Sequence, residues 1–249
     1  MGRVLAFEGP REVGLREYEE PPLRSHEVRL RTLYSGISAG TELTAYRGSN
    51  PYLSKRWDAD RRLFLNVNGQ VSLQHPVEGW GYEEVGEVVE VGSGVSEVQT
   101  GEVVWGTWGH KSTTVVEDSW AAKRKLPTGV DPIIGIFSRV GAIALNATLD
   151  ADIHLGEYVA VFGQGVPGLI AAQLARLNGG TVIVVDGISK RLELAEALGA
   201  AHIIDFTKQS AAEEIKRLTE NLGADVSIEI SGSYRALHEA IRATAYNSK

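Results

Sequence analysis

Tyr158-Val159-Ala160-Val161-Phe162-Gly163-Gln164-Gly165-Val166-Pro167-Gly168 is the stretch on which the fold is decided. A short, largely apolar run passes straight into Gly-x-Gly-x-x-Gly, and a helical pattern from Leu169 to Leu177 follows. A second apolar run, Thr181 to Val185, then closes on Asp186. The glycine pattern alone is weak. Between a strand and a helix, with an acid ending the next strand, it marks a dinucleotide-binding βαβ unit. Gly163 is expected to allow the tight turn, Gly165 to let a pyrophosphate approach the backbone, and Gly168 to let helix and strand pack closely. The helix start offers N–H groups and partial positive charge to phosphates. Asp186 is placed to accept ribose hydroxyls and to repel a 2′-phosphate, which favours NAD over NADP. Lys190 and Arg191 follow closely and oppose that preference with positive charge. The expected cofactor contacts are therefore Gly163, Gln164, Gly165, Val166, Pro167, Gly168, Asp186 and Lys190. Pro167 has no N–H, so one phosphate donor is missing, although a first helical turn tolerates proline.

Downstream, strand and helix patterns keep alternating. Asn178-Gly179-Gly180 ends the first helix, and Ser189 is expected to cap a helix running to Gly199. Ala201 to Asp205 reads as a third strand, and Ser210 with Glu213 as a capping box. Asp225 to Ile230 reads as a fourth strand, and a further helix runs from Tyr234 to Ala245. Such alternation predicts a parallel sheet wrapped by helices, a Rossmann domain, over residues 141–249. Residues 1 to 127 have another texture, with short β-type runs such as Val28–Leu33, Val85–Val91 and Glu102–Trp105. They predict a small barrel or sandwich. Residues 49–75 are polar and charged and predict a surface excursion pinned by Trp57 and Phe64. A helical pattern from Asp131 to Leu149 forms the bridge, which places the first domain at 1–140.

Composition narrows the function. A net charge of −7 lacks the basic face of a general nucleic-acid binder. No apolar run is read as approaching the ~18 residues of a membrane span, and the N-terminus has no signal-peptide core. A cytoplasmic protein acting on a small molecule, with no nucleic-acid or membrane partner, is expected. The chain has no cysteine, which removes disulfides, thiolate metal sites and thiol nucleophiles.

Four segments carry a family resemblance: Tyr34-Ser35-Gly36-Ile37-Ser38-Ala39-Gly40-Thr41-Glu42, Gly81-Tyr82-Glu83-Glu84-Val85-Gly86, Val159 to Gly165, and Gly223 to Gly232. With the layout, they resemble the medium-chain dehydrogenase/reductase superfamily, the zinc-type alcohol dehydrogenases and their zinc-free relatives. Within it the chain is most similar to proteins related to bacteriochlorophyllide dehydrogenases. The resemblance implies an α/β plus β fold, with an N-terminal GroES-like β-barrel domain followed by a Rossmann domain. It adds Ser231 and Gly232 to the cofactor contacts. It implies hydride transfer between a nicotinamide and an alcohol, carbonyl or activated alkene, and homodimers among full-length relatives. Their sheet has the order 3-2-1-4-5-6. This chain ends at Lys249, so an incomplete Rossmann domain is expected, with strand Asp225–Ile230 left as an open edge.

In the zinc enzymes a Cys, a His and a third Cys or Glu hold the metal. Ser38, or Ala39 by a shift of one, stands at the first of these positions, and Tyr82 stands for the His. Phe137-Ser138-Arg139 offers no third ligand, and Glu83 is the acid retained. Hydroxyls and a phenol replace thiolate and imidazole poorly, so zinc is expected to be absent. His26, His75, His110, His154, His202 and His238 lack metal-motif spacing. Without a metal, an oxyanion needs another donor. Tyr82 is the first candidate and Thr41, matching the family's relay hydroxyl, the second. Ser38 and Glu83 complete the candidate catalytic set. A nucleotide-binding remnant without catalysis, and a zinc enzyme with an unusual site built on Glu83, are the alternatives.

Overall fold

The N-terminal strands are β1 (Gly2–Gly9), β2 (Glu12–Tyr18) and β3 (Glu27–Ser35). After α1 (Glu42–Arg47) come β4 (Arg56–Asp58), β5 (Leu63–Leu65), β6 (Val77–Glu78), β7 (Glu84–Val91), β8 (Val103–Gly106), β9 (Thr113–Glu117) and α2 (Asp118–Ala122). The computed structural model describes residues 1–66 and 69–249. These strands form antiparallel sheets in the orders β2-β1-β6 and β8-β7-β3-β9, linked where Val4 bridges Lys111. Alternate residues of β3 and β7 point inward, so Val28, Leu30 and Val88 bury against Val104 and Trp108.

β4 and β5 make a hairpin inside the polar excursion at 49–75, of which Val67 and Asn68 lie outside the described residues. Trp57 and Phe64 pair across it with ring centroids 4.9 Å apart, and Tyr52 meets Phe64 edge-on at 4.9 Å. Such pairs contribute roughly 0.5–1.5 kcal/mol each beyond burial. All five tryptophans, at positions 57, 80, 105, 108 and 120, belong to this half of the chain.

Two 3-10 turns, Pro132–Phe137, start where the Asp131 carboxylate accepts the Ile133 N–H at 3.1 Å, and α3 (Ser138–Asp150) follows. The Pro132–Asp150 stretch corrects one expectation: its 19 residues are long and apolar enough, by composition, to cross a membrane. Its winding changes at Ser138, Arg139 follows at once, and Val140, Ala144 and Thr148 turn inward. Ala147 packs on the neighbouring core, as an amphipathic helix laid on a protein does.

The second half comprises β10 (Tyr158–Phe162), α4 (Val166–Leu177), β11 (Thr181–Asp186), α5 (Ser189–Ala197), β12 (His202–Asp205), α6 (Ala211–Leu218), β13 (Val226–Glu229) and α7 (Tyr234–Ala243). The strands are parallel in the order β12-β11-β10-β13, the 3-2-1-4 half of a Rossmann sheet. Both faces are covered, which explains the unbroken apolar runs. Val159, Val161, Val182 and Val184 pack with Ala172 and Ala175 of α4 and Leu192 of α5. Ala160, Phe162, Ile183 and Val185 pack with Ile215 of α6 and Ala240 of α7. Full burial of such a side chain is worth roughly 1.5–3 kcal/mol. The chain divides into Met1–Arg139 and Val140–Lys249, one residue ahead of the boundary drawn from sequence.

Two local expectations differ. Ser189 is the first residue of α5 rather than its cap, and Ile188 takes the cap position without a side-chain bond. The outer edge of β13 is not bare. The Ser227 N–H donates to the Lys249 carbonyl at 2.9 Å, and the Ala245 N–H donates to the Ala224 carbonyl at 2.8 Å. The final residues thus run beside the strand and pair half of it.

Candidate functional site

The glycine turn separates what the protein needs from what a ligand needs. Gly163 has φ +95°, and a Cβ there would stand 2.7 Å from the Ser231 Cβ. At Gly168 a Cβ would stand 1.8 Å from the Gly163 carbonyl oxygen. Folding alone demands both glycines. Gly165 is different. It caps α4 with φ −71° and ψ −177°, open to any residue, and the nearest atom to an added Cβ is Pro167 Cδ at 3.9 Å. Nothing within the protein requires glycine there, whereas a pyrophosphate drawn onto the helix start does. The N–H groups of Val166 and Gly168 have no partner within the helix, as at any helix start. The turn therefore fits a dinucleotide, with Pro167 at the second helical position supplying no donor.

Asp186 does more than was expected of it. Its carboxylate is only 6% exposed and accepts N–H bonds from Gln164 at 2.6 Å, Gly187 at 2.7 Å and Ile188 at 2.9 Å. Of roughly four acceptor positions on a carboxylate, three are used in tying the glycine turn to the end of β11. The cation beside it is Arg191, at 3.6 Å, while Lys190 is exposed on α5. The Gln164 side chain points inward, fully buried, with Nε2 donating to the Val161 carbonyl at 3.0 Å. Ser231 lies against Gly163, and its N–H donates to Glu229 Oε1 at 2.8 Å. Gly232, beside it, has φ +71°.

The hydroxyl residues also meet. Ser38 Oγ is hydrogen-bonded to the Tyr82 phenol, and that phenol donates to Thr41 Oγ1 at 3.3 Å. The serine at 38, rather than Ala39, is therefore the one in register with Tyr82. The turn is closed by the Glu42 N–H on the Ser38 carbonyl at 2.8 Å. Among the described residues, no group of three His, Cys, Asp or Glu side chains is placed to hold a metal ion.

Behind the hydroxyls lies a buried cluster that spacing did not reveal. The His110 ring sits between Glu42 Oε2, 2.7 Å from Nε2, and Ser35 Oγ, 2.5 Å from Nδ1. Glu84 lies 4.0 Å from Nδ1 and is fully buried, with its Oε2 unpaired. Gly36 and Gly81 make room, since a Cβ at Gly36 would meet Glu83 Oε2 at 2.7 Å and one at Gly81 would meet His110 Nε2 at 2.9 Å. Burial pushes the Glu83 carboxyl above the usual range, and the negative charges of Glu42 and Glu84 add to this. For His110 burial works the other way, but the bond to Glu42 and the charges of Glu42, Glu84 and Glu83 prevail and raise it.

A raised histidine stabilises the fold fully below its unfolded value, near 6.5, and loses that contribution as pH rises through the folded value. Glu83 has the same sign from a lower starting point. Glu42→Gln should therefore cost most melting temperature near and below about pH 6, and the gap to the unmodified protein should narrow as pH rises. A gap that widens with pH would contradict the pairing.

A family model described as zinc-binding dehydrogenase matches residues 167–249. D-guloside 3-dehydrogenase of Escherichia coli (strain K12) is 31% identical over 98% of this chain and 71% of its own length. The chain belongs to the zinc-type alcohol dehydrogenase-like medium-chain dehydrogenases/reductases. It is an alcohol dehydrogenase-like oxidoreductase by descent. Sorbitol dehydrogenase of Halalkalibacterium halodurans is 28% identical over 96% of the chain and 72% of its own length. The crystal structure of 2R,3R-butanediol dehydrogenase from Bacillus subtilis superposes with a TM-score of 0.77 at 25% identity, covering all of this chain and 76% of that one. A Sinorhizobium meliloti 1021 chain described as a zinc-binding dehydrogenase, bound to NADP, gives 0.79 at 22% identity and shares the fold, covering all of this chain and 75% of that one.

Proposed function

We propose that this medium-chain family member moves hydride between NAD and a secondary alcohol or ketone of a polyol or sugar, with the Tyr82 phenol in place of a catalytic zinc. The observation that carries this is the contact of Ser38 with Tyr82, two positions where the family's metal ligands are expected. A hydroxyl and a phenol bonded to each other are a proton-handling pair and a poor zinc set. The β-rich half is read as the family's GroES-like substrate domain. The sugar or polyol class follows from the relatives named for D-guloside and sorbitol. NAD is preferred because the negative Asp186 carboxylate at the end of β11 would repel a 2′-phosphate.

Bound nicotinamide supplies or takes the hydride. In the reducing direction Tyr82 gives its proton to the carbonyl oxygen as hydride reaches the carbon. The phenolate is then reprotonated from solvent through Ser38 or Thr41. In the oxidising direction the phenol first releases its proton to solvent through Ser38 or Thr41, and the resulting phenolate takes the alcohol proton as hydride leaves the carbon. Ser38 and Thr41 orient the phenol throughout.

The test is turnover of polyols and glycosides by chelator-treated protein, with NAD and NADP in parallel. Activity should survive chelation, zinc should be well under one per chain, and NAD should be the better cofactor. Stoichiometric zinc on which activity depends would favour a metal site built on Glu83 and remove this reading.

A further inference from the structure

Ser38 donates its N–H to Glu42 Oε1 at 2.9 Å, and the other oxygen of that carboxylate meets His110 Nε2 at 2.7 Å. We propose that His110 is the positioning residue of the hydroxyl cluster. Through Glu42 it holds the turn from Ser38 to Glu42 in the conformation that brings Ser38 Oγ and Thr41 Oγ1 to the Tyr82 phenol. The inference rests on the reading in which Tyr82 handles the proton.

The contacts determine what kind of role this is. Glu42 reaches Ser38 through a backbone N–H, which cannot hand on a proton, so the link is mechanical and not a relay. His110 is itself clamped. Its Nδ1 meets Ser35 Oγ at 2.5 Å, and its backbone N–H donates to Glu84 Oε1 at 3.3 Å. Its side chain is 8% exposed and that of Glu42 1%. Backbone geometry adds to the fit: His110 has φ +21°, and a Cβ on Gly109 would stand 1.8 Å from the Gly79 carbonyl oxygen. The groups facing the ring are Glu42 from α1, Ser35 from β3, Glu83 just before β7 and Glu84 at its start. As an imidazolium it donates to both Glu42 and Ser35, which grips Glu42 more tightly than the neutral ring does.

Exchange of the Ser38 amide proton, resolved by NMR, reads the clamp without any catalysis. In His110→Ala its protection should fall about tenfold or more while amides of β10 and β11 keep theirs. His110→Gln, whose amide still reaches Glu42, should restore much of it. In turnover, kcat should fall about tenfold in His110→Ala with KM nearly unchanged. Should His110→Ala fail to fold, the unmodified protein still answers. Its Ser38 protection, corrected for intrinsic exchange, should drop on the alkaline side as His110 loses its proton. Unchanged protection in folded His110→Ala, or protection flat with pH, overturns the proposal. The expected exchange pattern alongside a fully active Tyr82→Phe would keep the clamp and remove the phenol's catalytic part.

Discussion

Gly165→Ala is expected to leave the fold standing and to weaken NADH binding by at least about a hundredfold, close to 2.8 kcal/mol. An alanine Cβ at this position meets nothing nearer than Pro167 Cδ at 3.9 Å, and the backbone angles suit any residue. The cost to stability should stay near or under about 1 kcal/mol, that of exchanging a favoured glycine cap for a poorer alanine one. The methyl would instead occupy the space through which a pyrophosphate reaches the helix start. Gly168→Ala should show the opposite order of effects. Its Cβ would lie 1.8 Å from a carbonyl oxygen, so helix and strand must part. A loss of about 3 kcal/mol or more is expected, seen as a fall of roughly 13 °C or more in the melting of Val140–Lys249. Isothermal titration and calorimetry on the pair separate the two. A Gly165→Ala protein that binds NADH normally would take the pyrophosphate away from this turn.

Tyr82→Phe is expected to lower kcat by about a hundredfold to a thousandfold, with NADH affinity unchanged. The substitution removes one oxygen and leaves the ring, so packing beside Ser38 is kept. Ser38→Ala should cost less, since Thr41 still accepts from the phenol. Steady-state kinetics in both directions, with zinc added and withheld, decide it. Full activity in Tyr82→Phe would mean that the oxyanion is met by another group.

Much of the Val140–Lys249 half was legible because its signals are local. An unbroken apolar run passing into a helical period, with glycines at the crossing, spans only residues 158–177. Even there the hydrogen-bond partners were not readable. Asp186 reaches back 22 residues to Gln164, a tertiary bond that no local spacing announces. The hydroxyl trio was found through the resemblance of two segments, since positions 38 and 82 share no pattern by themselves. The His110 clamp was missed altogether. His110 and Glu42 are 68 residues apart, and a lone histidine in an irregular loop carries no periodic signal. The available clue was three glutamates, 42, 83 and 84, in segments already suspected, because buried carboxylates require a cation or a proton nearby.

The placement of every tryptophan before position 121 makes this protein optically lopsided. Emission excited in the indole band follows the melting of the Met1–Arg139 sheets and is blind to the parallel sheet, whose helices dominate the far-ultraviolet dichroism. One denaturation series recorded both ways therefore yields two curves with separate owners. Their coincidence is the ordinary criterion for two-state behaviour, and here each half carries its own label without a dye or an introduced residue.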